Sequence, residues 1–334
     1  MGRVAVDAMG GDHAPLEIIA GALLAAGDGH EVTLVGDEAA ITPILDQLGG
    51  ELPVVHASEV IGMGDHPTRS LRERPDSSIV VAADLVRDGK ADAFISAGST
   101  GAAMAAAVFR LGRLKGVQRP AIASVIPAPK PIILLDSGAN PDVKPEHLVE
   151  FAVLGTVMAE TYYGVDPVRV GLLNIGEEPG KGRELERVGW DQLTALDARD
   201  PLLTFVGNVE GRDLATGKID VIVTDGYAGN IALKTAEGTI SLMALSALEE
   251  IQRLDEAHRP GAMAMLEALR RRFDYEHTGG AHLLGTNGVV VISHGSSNRS
   301  AISQAIRMAD EGADRGLVDR VRDRLAADLE APRT

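Results

Sequence analysis

The chain has 334 residues and a formal net charge of −16, with 45% hydrophobic and 3% aromatic residues, so its core must be built from Ala, Val, Leu and Ile. It has no cysteine, which excludes disulfides, thiolate-held metals and an acyl-cysteine intermediate. The acidic balance argues against nucleic acid as a partner, and it obliges any anionic substrate to meet a local basic patch against an adverse global field.

The first run, Val4–Asp7, reads as a strand with no charged leader and apolar signal core ahead of it. No stretch of 18 apolar residues is expected to span a membrane, so the sequence reads as cytoplasmic. A helix at Leu16–Ala26 and strands at Glu31–Val35 and Pro53–His56 follow. Helix Ser78–Asp88, strand Ala93–Ser96 and helix Thr100–Phe109 come next. Strands Ala121–Ile126 and Ile132–Asp136 flank a turn of three prolines. Helix Pro145–Tyr163, strand Val168–Leu173, helix Gly182–Asp197 and strands Thr204–Val206 and Val221–Thr224 lead to a long helical hairpin. Its arms are Asn230–Leu254 and Pro260–Phe273. Strand Val289–Ser293 and helix Ser300–Asp314 close the series. Such alternation predicts a three-layer α/β/α fold with a mostly parallel sheet covered on both faces. Without a flexible linker, residues 1–334 read as one α/β unit with a cleft between two lobes, and 230–273 as a hairpin within it.

Six strands end in glycine-containing polar junctions: 7–13, 96–101, 136–140, 174–182, 225–230 and 293–297. In a parallel sheet these share the carboxyl edge, where α/β folds bind ligands. Glycine there lets backbone N–H groups approach an anion. Gly98, Ser99, Thr100 and Gly101 form the clearest cradle, ending a strand and opening an Ala-rich helix; the same residue types also serve an ordinary N-cap. Lys181, between Gly180 and Gly182, suits neutralising a phosphate or a developing oxyanion, and equally suits a solvated loop. Asn230 can donate to an oxygen or cap its helix. His13 can bind phosphate or move a proton, or be structural. The spacing from Gly176 is not that of a Walker A loop. There is no Gly-x-Gly-x-x-Gly, no His-Glu-x-x-His and no Gly-x-Ser-x-Gly. Asp136, Asp142 and Asp225 are too scattered to predict a metal.

The opening Val4-Ala5-Val6-Asp7-Ala8-Met9-Gly10-Gly11-Asp12-His13-Ala14-Pro15 resembles the signature of the PlsX-type phosphate acyltransferases of phospholipid synthesis. The resemblance continues through His56–Val60, Asp76–Ser78, Ser96–Gly101, Lys144–His147, Gly171–Gly176, Gly207–Glu210, Thr224–Asn230 and His294–Ser297, and so covers essentially the whole chain. It implies conversion of acyl-[acyl carrier protein] and phosphate to acyl phosphate, which a membrane acyltransferase uses to acylate glycerol 3-phosphate. It also implies a fold like that of phosphotransacetylases and isocitrate-type dehydrogenases, a homodimer, peripheral membrane association and no cofactor. The family commonly has Asn where this chain has Ser99, and often an apolar residue where it has Ser137.

On that resemblance, Ser99 and Thr100 seat phosphate, Lys181 and Asn230 hold phosphate and the carbonyl charge, and His13 stands behind them. An acidic carrier protein would dock on a basic face. Arg110, Arg113, Lys115 and Arg119 form the best cluster, and Arg69, Arg72 and Arg74 a second. Near the hairpin tip, Leu254, Met263 and Met265 lie beside Arg253, His258 and Arg259, a mixture suited to a shallow contact with anionic lipid. Competing readings are a decarboxylating dehydrogenase or short-chain phosphotransacetylase on the same fold, and a non-enzymatic scaffold for carrier protein.

Overall fold

A computed structural model describes residues 2–273 and 279–330; the unit expected over 1–334 extends beyond these at both ends. Among the described residues, eleven strands form one sheet. In chain order they are β1 (Arg3–Asp7), β2 (Glu31–Gly36), β3 (Val54–His56), β4 (Ala93–Ser96), β5 (Ala121–Ile126), β6 (Ile132–Leu135), β7 (Val168–Leu173), β8 (Leu203–Val209), β9 (Val221–Val223), β10 (Ala281–Leu284) and β11 (Val289–Ile292). Their order across the sheet is β3-β2-β1-β4-β11-β10-β5-β6-β9-β7-β8.

Most neighbours are parallel, as the alternation requires, but β10 pairs antiparallel with both β11 and β5, and β5 pairs antiparallel with β6. Three antiparallel steps reverse direction. The strands β3, β2, β1, β4 and β11 therefore run one way, and β6, β9, β7 and β8 run the other. This corrects the expectation of a single carboxyl edge: the junctions leave from two opposed sets of strand ends.

Among the described residues, eleven α-helices pack on or project from this sheet: α1 (Leu16–Gly27), α2 (Glu38–Leu48), α3 (Pro67–Glu73), α4 (Ser78–Arg87), α5 (Thr100–Ala106), α6 (Pro145–Tyr163), α7 (Glu184–Asp197), α8 (Gly226–Gln252), α9 (Arg259–Phe273), α10 (Arg299–Asp314) and α11 (Leu317–Glu330). A π-helical stretch, Ala107–Leu111, extends α5. Around β1, β2, β4 and β11, α1 and α10 cover one face, and α4 and α5 the other. Around β6, β7 and β9, a separate cluster centres on α6, with Leu148, Phe151 and Leu154 fully buried. Burying a side chain of that size contributes about 1.5–3 kcal/mol, so α6 is held by packing on nearly all sides.

Helix starts follow from local chemistry. Asp37 caps α2 by accepting from Ala39 N–H at 3.1 Å, and Asn298 caps α10 through Ser300 and Ala301. Asp225 caps α8 through Ala228 N–H at 2.6 Å, so the first hairpin arm starts at Gly226 rather than Asn230. Of its 27 residues, only Gly226, Gly229 and Ile251 are buried. By length and composition α8 is apolar enough to cross a membrane, contrary to the sequence expectation. Its first turn is packed against the end of β6, however, and α9 folds back against it.

Candidate active site

A cavity of about 550 Å³ opens over the antiparallel middle of the sheet. Its floor includes Ile122, Ser124 and Val125 of β5 and Ala281 of β10. Junctions from both opposed sets of strand ends close over this floor. Gly98 and Thr100 follow β4, and Ser293–Ser297 follow β11. Ser137 and Gly138 follow β6, and the first turns of α8 follow β9. The reversal of strand direction thus brings two sets of glycine junctions to one chamber.

Buried aspartates shape these junctions. Asp7, at the end of β1, accepts from the Ser96 hydroxyl at 2.7 Å and from Met9 N–H at 3.3 Å, and Ser96 Oγ accepts from Gly98 N–H at 3.0 Å. Burial pushes the Asp7 carboxyl above the ordinary carboxylate value, opposed by the bonds donated by Ser78, Ser96 and neighbouring amides. Gly10 is required here, because a Cβ would lie 2.6 Å from Asp7 Oδ2 and 2.9 Å from Gly98 N. Asp12 N–H donates to Gly295 carbonyl at 2.8 Å, joining this junction to the one after β11.

Asp136 does the same after β6, accepting from the N–H groups of Ile122 (3.2 Å), Gly138 (3.0 Å), Ala139 (2.8 Å) and Asn140 (2.7 Å). Burial pushes its carboxyl up as well, against those same bonds. Gly229 lets α8 press onto this turn, since a Cβ there would stand 1.9 Å from the Asp136 carbonyl oxygen. Asp225 receives Arg183 at 2.5 Å, and Arg183 also pairs with Glu186; these two partners hold the guanidinium above its ordinary value. Asp136 and Asp225 are thus committed to internal donors. Among the described residues no group of three His, Asp or Glu side chains is arranged to hold a metal ion.

The structure brings some sequence candidates together and separates others. Gly98, Thr100 and Asn230 line the cavity. Asn230 lies against Gly138, whose added Cβ would be 3.5 Å from Asn230 Oδ1. Ser99 is half-buried at the start of α5 and makes no side-chain capping bond. Gly101 sits under α3, with space for a Cβ blocked by Pro67 at 2.6 Å. His13 is exposed and outside the lining, although its neighbour Asp12 is on it. Lys181 is exposed on the loop after β7, also outside the lining; its N–H donates to Glu178 carbonyl at 3.0 Å and its carbonyl accepts from Asn174 at 3.1 Å.

In the basic cluster, Arg110 is bound to Asp84 by a two-pronged contact that includes a 2.6 Å bond, so its charge is largely answered within the chain. Arg113 donates to the Gln118 carbonyl, while Lys115 and Arg119 are exposed. Leu254, Met263 and Met265 are exposed on the hairpin.

Sequence reading did not single out several wall residues, although Ser137 and His294 lie in junctions that it named. His294 is on the lining where His13 is not, and its Nδ1 lies 2.7 Å from Ser296 Oγ. Ser124 of β5 and Ser137 of the turn after β6, paired at 2.7 Å, line the chamber. Lys234 and Glu237 line it from α8. The signal for these last two was present, since they stand four and seven residues beyond Asn230 on one helical face.

A match to the Fatty acid synthesis protein family covers residues 2–320. A phosphate acyltransferase of Desulforamulus reducens is 48% identical, over 98% of each chain. That of Desulforudis audaxviator is 49% identical, over 95% of this chain and 94% of its own. Among solved structures, a phosphotransacetylase from Streptococcus pyogenes has a TM-score of 0.62 at 18% identity, covering 93% of this chain and 94% of its own. A 4-hydroxythreonine-4-phosphate dehydrogenase from Klebsiella pneumoniae has a TM-score of 0.53 at 15% identity, covering 93% and 98%. These two likenesses concern the fold alone.

Proposed function

The chain belongs to the Fatty acid synthesis protein family, and its near-full-length relatives are phosphate acyltransferases; we propose that it moves a fatty acyl group from the thioester of acyl carrier protein onto inorganic phosphate. The product, acyl phosphate, is a mixed anhydride fit to acylate glycerol 3-phosphate in the next step of phospholipid synthesis. The observation that carries the reading is the chamber itself, with glycine-rich polar junctions on one side and Ile122, Val125, Ile231 and Leu233 on its apolar side.

Phosphate near pH 7 is partly dianionic, by analogy with phosphate esters whose second pKa is about 6. An oxygen of hydrogen phosphate attacks the thioester carbonyl carbon. The C–S bond then breaks with its electron pair going to sulfur. The proton of the phosphate passes to the thiolate, leaving a dianionic acyl phosphate and a free thiol. No protein nucleophile is needed, so the protein's task is positioning and stabilising charge on the carbonyl oxygen. Gly98, Ser99 and Thr100 seat the phosphate and Asn230 donates to the reacting group. Lys181 contributes from the neighbouring loop and His13 from the rim. The whole chain acts as one catalytic unit.

Carrier protein docks on the basic face of Arg113, Lys115 and Arg119, with Arg110 contributing little beyond its bond to Asp84. The hairpin serves a homodimer and a peripheral contact with membrane through Leu254, Met263 and Met265, beside the acyltransferase that consumes the product. Normal sedimentation of a Met263→Asp variant with anionic vesicles would remove the membrane contact. The primary test mixes the protein with acyl-[acyl carrier protein] and phosphate and traps the product with hydroxylamine. Phosphate-dependent hydroxamate is expected; its absence across several chain lengths, with active carrier protein, overturns the reaction.

A further inference from the structure

The chamber has a charge problem. Its described lining carries the carboxylates Asp12 and Glu237, and the chain as a whole carries −16, yet the proposed substrate is a dianion. Among the described residues of the lining, the lysine or arginine is Lys234. Tyr227, Asn230, Lys234 and Glu237 recur at spacings of three and four along α8, so they form one stripe facing the chamber. The helix that carries them is fixed at its base by the Asp225 cap and by the contact of Gly229 with the Asp136 turn.

We infer that Lys234 is a substrate-binding residue that supplies positive charge to the bound phosphate, and that Glu237 holds its ammonium on the chamber wall until phosphate arrives. This rests on the reading of the chamber as the phosphate site and adds to it a cation inside the wall, one helical turn from Asn230.

The geometry is suited to this. Lys234 Nζ lies 2.8 Å from Glu237 Oε2, and the two side chains are 45% and 20% exposed. An ion pair this open to solvent contributes little to stability. Its value is orientation, because it keeps a long, flexible side chain along the wall. An ammonium has three N–H donors, so phosphate can be bound while the bond to Glu237 is kept. The same carboxylate sets a limit on affinity, since it repels the dianion that Lys234 attracts. The pair therefore makes opposite predictions for its two members, which a purely structural ion pair does not.

The experiment measures inorganic phosphate binding by the free enzyme, through equilibrium dialysis, alongside the KM for phosphate and for acyl-[acyl carrier protein]. Lys234→Gln should weaken phosphate at least about tenfold, the loss expected when a charged hydrogen bond is removed, with the KM for the acyl donor changed far less. Lys234→Arg should recover much of the binding. Glu237→Gln keeps a hydrogen-bonding group without the charge and should tighten phosphate by roughly twofold, the scale of an exposed charge pair. Unchanged phosphate binding in Lys234→Gln overturns the inference, as does a loss confined to Lys181→Gln. Thr100→Val separates the two levels. If it weakens phosphate while Lys234→Gln does not, the phosphate site stands and the role of Lys234 falls; if neither does, the site itself is misplaced.

Discussion

The helices α6 and α8 are the two longest among the described residues, both are more than half apolar, and their surroundings are opposite. In α6, 12 of 19 residues are buried, and its sides meet the sheet, α7 and α11. In α8, Leu242, Met243 and Leu245 are all more than 60% exposed, and α9 is its main companion. Composition therefore fixes neither helix's environment. The first spends its apolar surface on the core. The second carries the chamber stripe at its base and leaves its far half uncovered, which supports the homodimer and membrane roles proposed for the hairpin.

The largest expected effect lies in α6. Phe151 is fully buried at the centre of its cluster, so Phe151→Ala should lower unfolding free energy by about 3–5 kcal/mol. Denaturant melts would show it, and a loss under 1 kcal/mol would mean that α6 can close the gap by shifting on the sheet.

A smaller effect comes from His282 of β10, which is buried beside Tyr162, with Nε2 2.7 Å from the Tyr162 hydroxyl. Burial lowers its pKa from 6.5 to about 4. The unfolded chain thus takes up this proton first as pH falls. The contribution of the neutral imidazole is fully present above pH 6.5 and is lost progressively as pH falls toward about 4, a change on the order of 3 kcal/mol in all. Unfolding free energies measured across that window should slope upward with pH, and His282→Asn should flatten the slope. An unchanged slope in the variant would assign the dependence to other groups.

The same strand shows where sequence reading stops. β1, β4, β6, β7, β9 and β11 were legible because each is a short, mostly apolar run, rich in Val or Ile in all but β4, that ends in a glycine junction. β10 (Ala281–Leu284) was not: it is four residues long, has no β-branched residue, contains a histidine and follows two glycines. Asn287-Gly288 ahead of Val289 was a hairpin signal that pointed to it. Missing β10 hid the antiparallel middle of the sheet, and with it the reversal that makes two sets of junctions meet. Gly98, Thr100 and Asn230 were legible as chamber residues because junction chemistry is local. Lys234 and His294 were harder to read, because a lysine inside a helix and a histidine among serines acquire meaning only when distant strand ends are brought together. The docking cluster was read from charge alone, and Asp84, 26 residues before Arg110, lay beyond that kind of reading.

The smallest expected effect sharpens the comparison most. Leu245 of α8 is 62% exposed, so truncating it removes little buried surface from this chain. Leu245→Ser should change the unfolding free energy by no more than about 0.5 kcal/mol, the range of ordinary surface substitutions, measured at low protein concentration without lipid. The chamber chemistry at the base of the helix should be untouched, since Leu245 stands eleven residues beyond Lys234, about 16 Å along the axis at 1.5 Å per residue. A loss of several kcal/mol would instead mean that this face is covered in the native protein, as in α6. Protein concentration then tells how: a loss that vanishes as the wild type is diluted places a second copy of the chain over Leu245, whereas one that persists places the cover within the chain itself.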